Sequence, residues 1–308
     1  MKILIEMPSW LGDSVMATPA IENLVRHFKS AEITLIGSQV SIEVLKNHPK
    51  VIDSHVLEKK IINLYNFLKN LDKFDIFLSF RGSYRSKFIK FIVSSELKFQ
   101  FDKNKYTNGH QVEKYNKFIN DSFAINSQAS NLKLPNKKYS GYKKSKLLGI
   151  NPGASYGSAK RWHPEKFAEV AIDLSNQFDI IIFGGLGEKD IAKDIEICLI
   201  KKGIKNYKNL STKTSISQLV DLISKLDLFV TGDSGPMHIA AAFHVPTVTI
   251  FGPTNEYETS QWLNEKSVIV KKNLACQPCM QRICPLHHHN CMKLIKSEDV
   301  LEAVKGLC

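Results

Sequence analysis

Three segments place small and polar residues where a strand should give way to a helix, a junction whose unpaired backbone N–H groups attract anions. One is Thr231-Gly232-Asp233-Ser234-Gly235-Pro236-Met237-His238, between an apolar run at 226–231 and the alanines of 240–242. Its first helical turn could hold a phosphate, or it could be an ordinary turn capped by Asp or Ser. The second, residues 151–165, joins glycines and hydroxyls, Ser155 among them, to two cations. Lys160 as a point charge or Arg161 as a bidentate fork could neutralise a diphosphate; a surface loop leading to Pro164 is the alternative. The third, Phe183-Gly184-Gly185-Leu186-Gly187-Glu188-Lys189-Asp190, lacks the full dinucleotide spacing. Together the three point to a nucleotide site, and with no Walker Gly-Lys-Ser/Thr it is not that of a P-loop ATPase.

The first half offers different chemistry. Gly12-Asp13-Ser14 follows an apolar run, so Asp13 could take a proton from an attacking hydroxyl or could cap a helix. Arg81-Gly82-Ser83-Tyr84-Arg85-Ser86-Lys87 concentrates cations in one loop, able to grip a carboxylate or phosphate of a second substrate, or simply solvated.

These segments need a scaffold that brings strand ends together. Alternation and helical periodicity predict strands at 2–7, 32–36 and 76–80, a helix at 60–71, and a helix carrying Ile21, Leu24, Val25 and Phe28 on one face. That helix starts either at Thr18-Pro19 or earlier, at Asp13 or Ser14. After a polar stretch at 135–146, read as a linker, the rhythm restarts: strands at 147–151, 179–183, 228–232 and 248–251, helices at 164–176, 191–201 and 215–225. The fold class is α/β, with two Rossmann-like domains at 1–140 and 141–308 whose parallel sheets face one another across a cleft.

Composition narrows the setting. The chain has 308 residues, 43% hydrophobic, and a net charge of +12. Lys and Arg outnumber Asp and Glu by 23 to 13 in residues 1–145 but only by 19 to 17 thereafter, so the first half faces something anionic. Nucleic acid, an acidic membrane and an acidic glycolipid are the candidates; no helix-turn-helix, RNP or KH pattern favours nucleic acid. No apolar run approaches the roughly 18 residues of a membrane span and no signal-peptide pattern opens the chain, which reads as cytoplasmic. Cys276-x2-Cys279-x4-Cys284-x6-Cys291, with His287, His288 and His289 nearby, has enough ligands for a structural zinc. The spacing fits no standard zinc motif, so thiols packed in a compact loop are preferred, and no catalytic metal is expected.

The segments 2–5 and 12–19, the loop 151–162, and Asp233 to His238 followed by Ala240-Ala241 resemble the ADP-heptose:lipopolysaccharide heptosyltransferases of glycosyltransferase family 9. Cys276-Gln277-Pro278-Cys279, Arg282-Ile283-Cys284-Pro285 and His288-His289-Asn290-Cys291-Met292 resemble a cysteine-rich segment within that family. The resemblance implies a GT-B architecture, with the acceptor site in the first domain, the ADP-sugar site in the second, and a last helix free to pack back on the first. It implies metal-independent, inverting transfer of L-glycero-D-manno-heptose from ADP-heptose to the first heptose of the lipopolysaccharide inner core. Asp13 then matches the general base and Lys160 the diphosphate-binding lysine. Asp233, Ser234, Gly235, Pro236, Met237 and His238 match the loop holding heptose and phosphates. Ser155 and Gly185 join the donor site, Thr214 matches a residue whose backbone meets adenine, and Glu188, with Asp190 as rival, meets the ribose. Gly12, Arg81, Ser83, Arg85 and Lys87 fall to the acceptor. The implied partners are an acidic lipid A-core glycolipid and the cytoplasmic face of the inner membrane, held peripherally, with no nucleic acid and no obligate protein partner. Within the class, a heptosyltransferase I or a later core heptosyltransferase is the alternative; outside it stand a sugar-nucleotide epimerase and a basic nucleotide- or nucleic-acid-binding module.

Overall fold

The computed structural model describes residues 1–135 and 145–307. Most of the linker expected at 135–146 lies outside the described residues. The chain forms two compact units, Met1–Pro135 and Asn136–Cys308.

In the first unit, β1 (Lys2–Glu6) is followed by α1 (Leu11–Met16), α2 (Thr18–His27), β2 (Glu32–Gly37), α3 (Gln39–Leu45) and β3 (Val51–Val56). Next come α4 (Ile61–Lys69), β4 (Phe74–Ser79), α5 (Tyr84–Ile92), β5 (Ser95–Gln100) and α6 (Gln111–Phe123). The strands pair in parallel in the order β3-β2-β1-β4-β5. Ile3, Leu4 and Ile5 of β1 are fully buried, which is why the central strand reads as a continuous apolar run. The edge strands β3 and β5 are polar and partly exposed, so they carry no such run and have no counterpart among the predicted strands. The first helix differs from both starts considered for it: α1 begins at Leu11 after Trp10 and does not contain Pro19, while α2 begins at Thr18 after Ala17, with Pro19 in its first turn, where the missing N–H costs nothing.

In the second unit, β6 (Leu147–Asn151), α7 (Pro164–Leu174), β7 (Asp179–Ile182), α8 (Lys189–Lys201), β8 (Tyr207–Asn209) and α9 (Ile216–Ile223) lead to β9 (Leu228–Gly232). Then α10 (Gly235–Ala242), β10 (Thr247–Ile250), α11 (Glu256–Thr259), β11 (Ser267–Val270), α12 (Asn290–Lys293) and α13 (Ser297–Lys305) complete it. The order β11-β10-β9-β6-β7-β8 is again all parallel. Leu148, Ile150, Val230 and Ile250 form its core with Phe167 and Trp162. Val300 and Val304 bury the apolar face of α13 in that same core, where the helix meets α7 and β11 of its own unit. Among the described residues no helix is long and apolar enough to cross a membrane.

In both sheets the connections reverse direction beside the first strand, between β1 and β4 and between β6 and β9. Loops diverge at such a switch point and leave a crevice at the carboxyl ends of the two strands. Asp13 and Arg81 follow β1 and β4; the Lys160 loop and Asp233 follow β6 and β9.

Candidate active site

Asp13 is the third residue of α1, whose cap position is taken by Trp10 without a side-chain bond, so the capping role considered for Asp13 is not the one it has. The neighbouring Ser14 hydroxyl donates back to the Trp10 carbonyl at 2.9 Å. Gly12 is buried in the same turn. Asp13 is half-buried, and its charge reaches Tyr115 of α6. Burial first, then Asp13, pushes the Tyr115 hydroxyl well above its ordinary range, while a hydrogen bond with Gln111 and the charge of Arg81 act the other way. A neutral phenol thus sits among a carboxylate and a guanidinium.

Arg81 is placed by a residue absent from the sequence-based site, Glu6. This fully buried carboxylate at the end of β1 accepts from Ser79 Oγ at 2.6 Å and Ser86 Oγ at 2.9 Å, and meets Arg81 Nη1 at 3.4 Å. It thereby ties the end of β4 and the first turn of α5 to the central strand. A charged residue closing an otherwise apolar strand was the available signal. Ser83 caps α5, accepting from the Ser86 N–H at 3.1 Å, so its hydroxyl has a structural task. Arg85 is turned to the carbonyls of Glu58 and Lys59, and Lys87 lies 5.4 Å over the Tyr84 ring. Of the predicted acceptor cations, Arg81 is therefore the one carried into the Glu6 and Tyr115 cluster.

Burial, only partly offset by Ser79 and Arg81, raises the Glu6 carboxyl above its ordinary 4.5. The folded state then binds this proton more tightly than the unfolded chain, and the stability it contributes is lost as pH rises through the folded value. Gln at position 6 has no such proton. The urea midpoint of Glu6→Gln relative to wild type should therefore rise as pH increases above the ordinary 4.5 of the carboxyl. A pH-independent difference would contradict the assignment.

The second unit builds a cationic counterpart. Lys160 Nζ pairs with Asp233 Oδ2 at 2.5 Å, with side-chain exposures of 11% and 4%. Thr254 donates to the same oxygen at 2.6 Å. The carboxylate of Asp233 thus orients Lys160, which also lies 4.7 Å over the Tyr156 ring. Ser234 occupies the cap position of α10 without a side-chain cap bond: its hydroxyl donates to the Gly232 carbonyl at 3.2 Å and accepts from Asn151 Nδ2 at 3.0 Å. The first turn of α10, Gly235 and Pro236, is left without a side-chain cap, and Met237 and His238 are buried behind it. A helix N-terminus with an adjacent, nearly buried lysine is suited to a phosphate.

The glycines of the Asn151 and Phe183 loops have a packing reason. Glu188 is buried, and a Cβ on Gly153 would lie 2.1 Å from its Cγ. Its carboxylate accepts from the Gly185 N–H at 2.7 Å and from Ser155 Oγ at 3.5 Å, whereas Asp190 in the first turn of α8 is exposed. Thr214 precedes the Ser215 cap of α9, on a loop tied to this one where the Thr212 N–H donates to the Gly184 carbonyl at 2.7 Å. The β7 and β8 ends therefore meet at the glycine loop.

The cysteine-rich segment supports the Lys160 loop from behind. Arg282 O accepts from the Ala159 N–H at 3.0 Å, His289 Nε2 lies 2.9 Å from Ala159 O, and Tyr156 Oη donates to Met280 O at 2.6 Å. Cys276, Cys279, Cys284 and Cys291 share a small cavity of about 20 Å³. Burial, then the neighbouring thiols, pushes Cys291 up to about 11. Among the described residues no group of three or more His, Cys, Asp and Glu side chains is placed to hold a metal ion.

Two all-parallel α/β units, one with a carboxylate and the other with a lysine–aspartate pair at its switch point, have the architecture of the GT-B class. The pattern of glycosyltransferase family 9 (heptosyltransferase) matches residues 68–290. Lipooligosaccharide heptosyltransferase 2 of Campylobacter jejuni serotype O:2 is 45% identical across all of this chain and 98% of that protein. Lipopolysaccharide heptosyltransferase 1 of Campylobacter coli is 27% identical, again over the whole chain and 99% of that protein. The structure of Escherichia coli ADP-heptose LPS heptosyltransferase II has the same fold, with a TM-score of 0.84, 23% identity, and coverage of 100% of this chain and 98% of that one. The chain belongs to glycosyltransferase family 9, the heptosyltransferases.

Proposed function

We propose that this enzyme transfers L-glycero-D-manno-heptose from ADP-heptose to the first heptose of the lipopolysaccharide inner core, on a heptosyl-Kdo-lipid A acceptor. The observation that carries the reading is the nearly buried Lys160 held by Asp233 beside the uncapped first turn of α10. A sugar diphosphate leaving group needs positive charge there as the anomeric C–O bond breaks. The full-length likeness to a heptosyltransferase 2 supports the choice of acceptor.

In this mechanism Asp13 takes the proton of the acceptor hydroxyl as its oxygen bonds to the anomeric carbon, and ADP departs from the opposite side with inversion. Lys160 and the N–H groups of α10 receive the charge that accumulates on the diphosphate. Asp233, already bonded to Lys160 and Thr254, positions that lysine and turns its remaining acceptor capacity to a heptose hydroxyl. Glu188 takes the ribose hydroxyls on the oxygen that Ser155 holds only loosely, and the backbone at Thr214 meets adenine. Arg81 binds acceptor phosphate or carboxylate. These cations supply the charge without a metal, and the four cysteines pack as thiols. The enzyme works in the cytoplasm, held reversibly at the anionic inner-membrane surface.

A transfer assay read by mass tests the whole reading. With ADP-heptose, a heptosyl-Kdo-lipid A acceptor should gain one heptose and a Kdo-terminated lipid A none, with or without EDTA. Gain on the Kdo acceptor alone would make this a first-heptose transferase. Turnover of the ADP-sugar without acceptor would indicate an epimerase.

A further inference from the structure

The helices α4 and α5 pack together on the first sheet and bury Leu64, Leu68, Ile89 and Val93 beneath them. Their outer faces are also apolar. Ile61 is 54% and Ile62 71% exposed on α4, while Tyr84 is 87% and Phe91 82% exposed on α5. Tyr84 and Phe91 stand two helical turns apart on one face, with Lys87 between them. Helices apolar inside and out are costly in water unless something covers them.

The charge on these helices indicates what covers them. Residues 58–69 and 84–92 hold six cations, Lys59, Lys60, Lys69, Arg85, Lys87 and Lys90, against one acid, Glu58. Arg85 joins the two elements by donating to the Glu58 and Lys59 carbonyls. Lys69 and Lys87 lie alongside the Tyr65 and Tyr84 rings, at 5.9 and 5.4 Å from their centroids. Aromatic rings and isoleucines interleaved with cations of one sign match the boundary between headgroups and acyl chains in an anionic leaflet. A polynucleotide would use the cations and leave Ile61 and Ile62 in water.

We propose that the α4/α5 face is the membrane-docking surface of this protein, seating on an anionic phospholipid bilayer. Ile62 and Phe91 enter the headgroup–acyl boundary, and Lys59, Lys60 and Lys90 face lipid phosphates. The proposal gives a location to the membrane association inferred above and rests on that part of the reading; its vesicle test contains neither donor nor acceptor, so it stands or falls apart from the sugar chemistry.

The full chain is sedimented with vesicles of phosphatidylcholine alone or mixed with phosphatidylglycerol. Wild type should bind the mixed vesicles, bind the neutral ones far less, and lose affinity as salt is added. Ile62→Asp combined with Phe91→Asp should lower partitioning about tenfold or more, since two exposed apolar anchors become charges. Lys59→Ala with Lys60→Ala should lower it several-fold. Circular dichroism should match wild type, and transfer to a soluble acceptor lacking acyl chains should be unchanged in the Ile62→Asp/Phe91→Asp variant. Binding of that variant equal to wild type, wild-type binding indifferent to lipid charge, or an equal loss of transfer on the soluble acceptor would each overturn the proposal.

Discussion

Asp13→Ala should lower turnover by about 10²–10⁴ while leaving donor binding within about twofold of wild type, because general-base assistance is removed and the donor cradle is untouched. Asp13 sits in the first turn of α1, immediately after the central strand and at the switch point of its sheet. Trp10, not Asp13, holds the cap position of α1, so truncating Asp13 removes no helix cap. An acidic residue in a first helical turn contributes about 0.3–1 kcal/mol through the helix dipole, and that contribution is lost with it. Asp13→Asn keeps the shape and removes the basicity, so it should be as slow as the alanine variant. Turnover of either variant near wild type, measured with saturating ADP-heptose and acceptor, would remove Asp13 as the base. A fall in donor affinity of tenfold or more would instead mean that α1 shapes the site indirectly.

The second large effect concerns the Lys160 and Asp233 pair. Lys160→Met should reduce kcat/KM by about 10²–10³, the usual cost of removing a preorganised charge from a departing anion. The same substitution leaves the buried Asp233 carboxylate with Thr254 as its remaining side-chain donor in the pair's neighbourhood, and Asp233→Asn leaves a nearly buried ammonium without its counter-charge. Breaking a buried pair from one side typically costs about 3–5 kcal/mol. The double variant Lys160→Met/Asp233→Asn removes both charges, so its stability should return towards wild type while its turnover stays low. Urea denaturation and steady-state kinetics on the four proteins complete the cycle. Recovery of turnover along with stability in the double variant would show that the pair serves folding alone.

Because the two substitutions act on opposite sides of one ion pair, ADP should protect the single variants unequally. Asp233→Asn exposes a lysine that can take a phosphate as its counter-ion, so ADP should raise its thermal midpoint more than it raises that of Lys160→Met. That inequality is a direct consequence of reading Lys160 as the diphosphate ligand and Asp233 as its positioner.

Much of the scaffold was legible because it rests on short-range rules. The central strands β1, β6 and β9 are buried on both faces and read as apolar runs, and α7 begins at a proline pre-set for the first helical turn. The edge strands were missed because nothing about Val51–Val56 or Ser95–Gln100 demands a strand until a neighbour supplies the hydrogen bonds. The helix α6 escaped for a related reason: Val112, Tyr115, Phe118 and Ile119 form an apolar face interrupted by lysines and asparagines, which only packing against α2 makes coherent.

The sequence by itself determined that small, polar strand-to-helix junctions, a carboxylate after the first strand, and a cluster of cysteines occur in this chain, since each is a matter of local residue type and spacing. Tertiary structure alone decided their division of labour. Glu6 acquires its hold on Ser79 and Ser86 only when β1 and β4 pair, and Asp233 becomes the partner of Lys160 across 73 residues of chain. Glycines that read as phosphate contacts turn out also to make room for the buried Glu188, and the cysteine segment stands behind the lysine loop. The physical reason is that charge and hydrogen bonding act through space, so a side chain's task is fixed by which groups folding brings within about 3 Å of it.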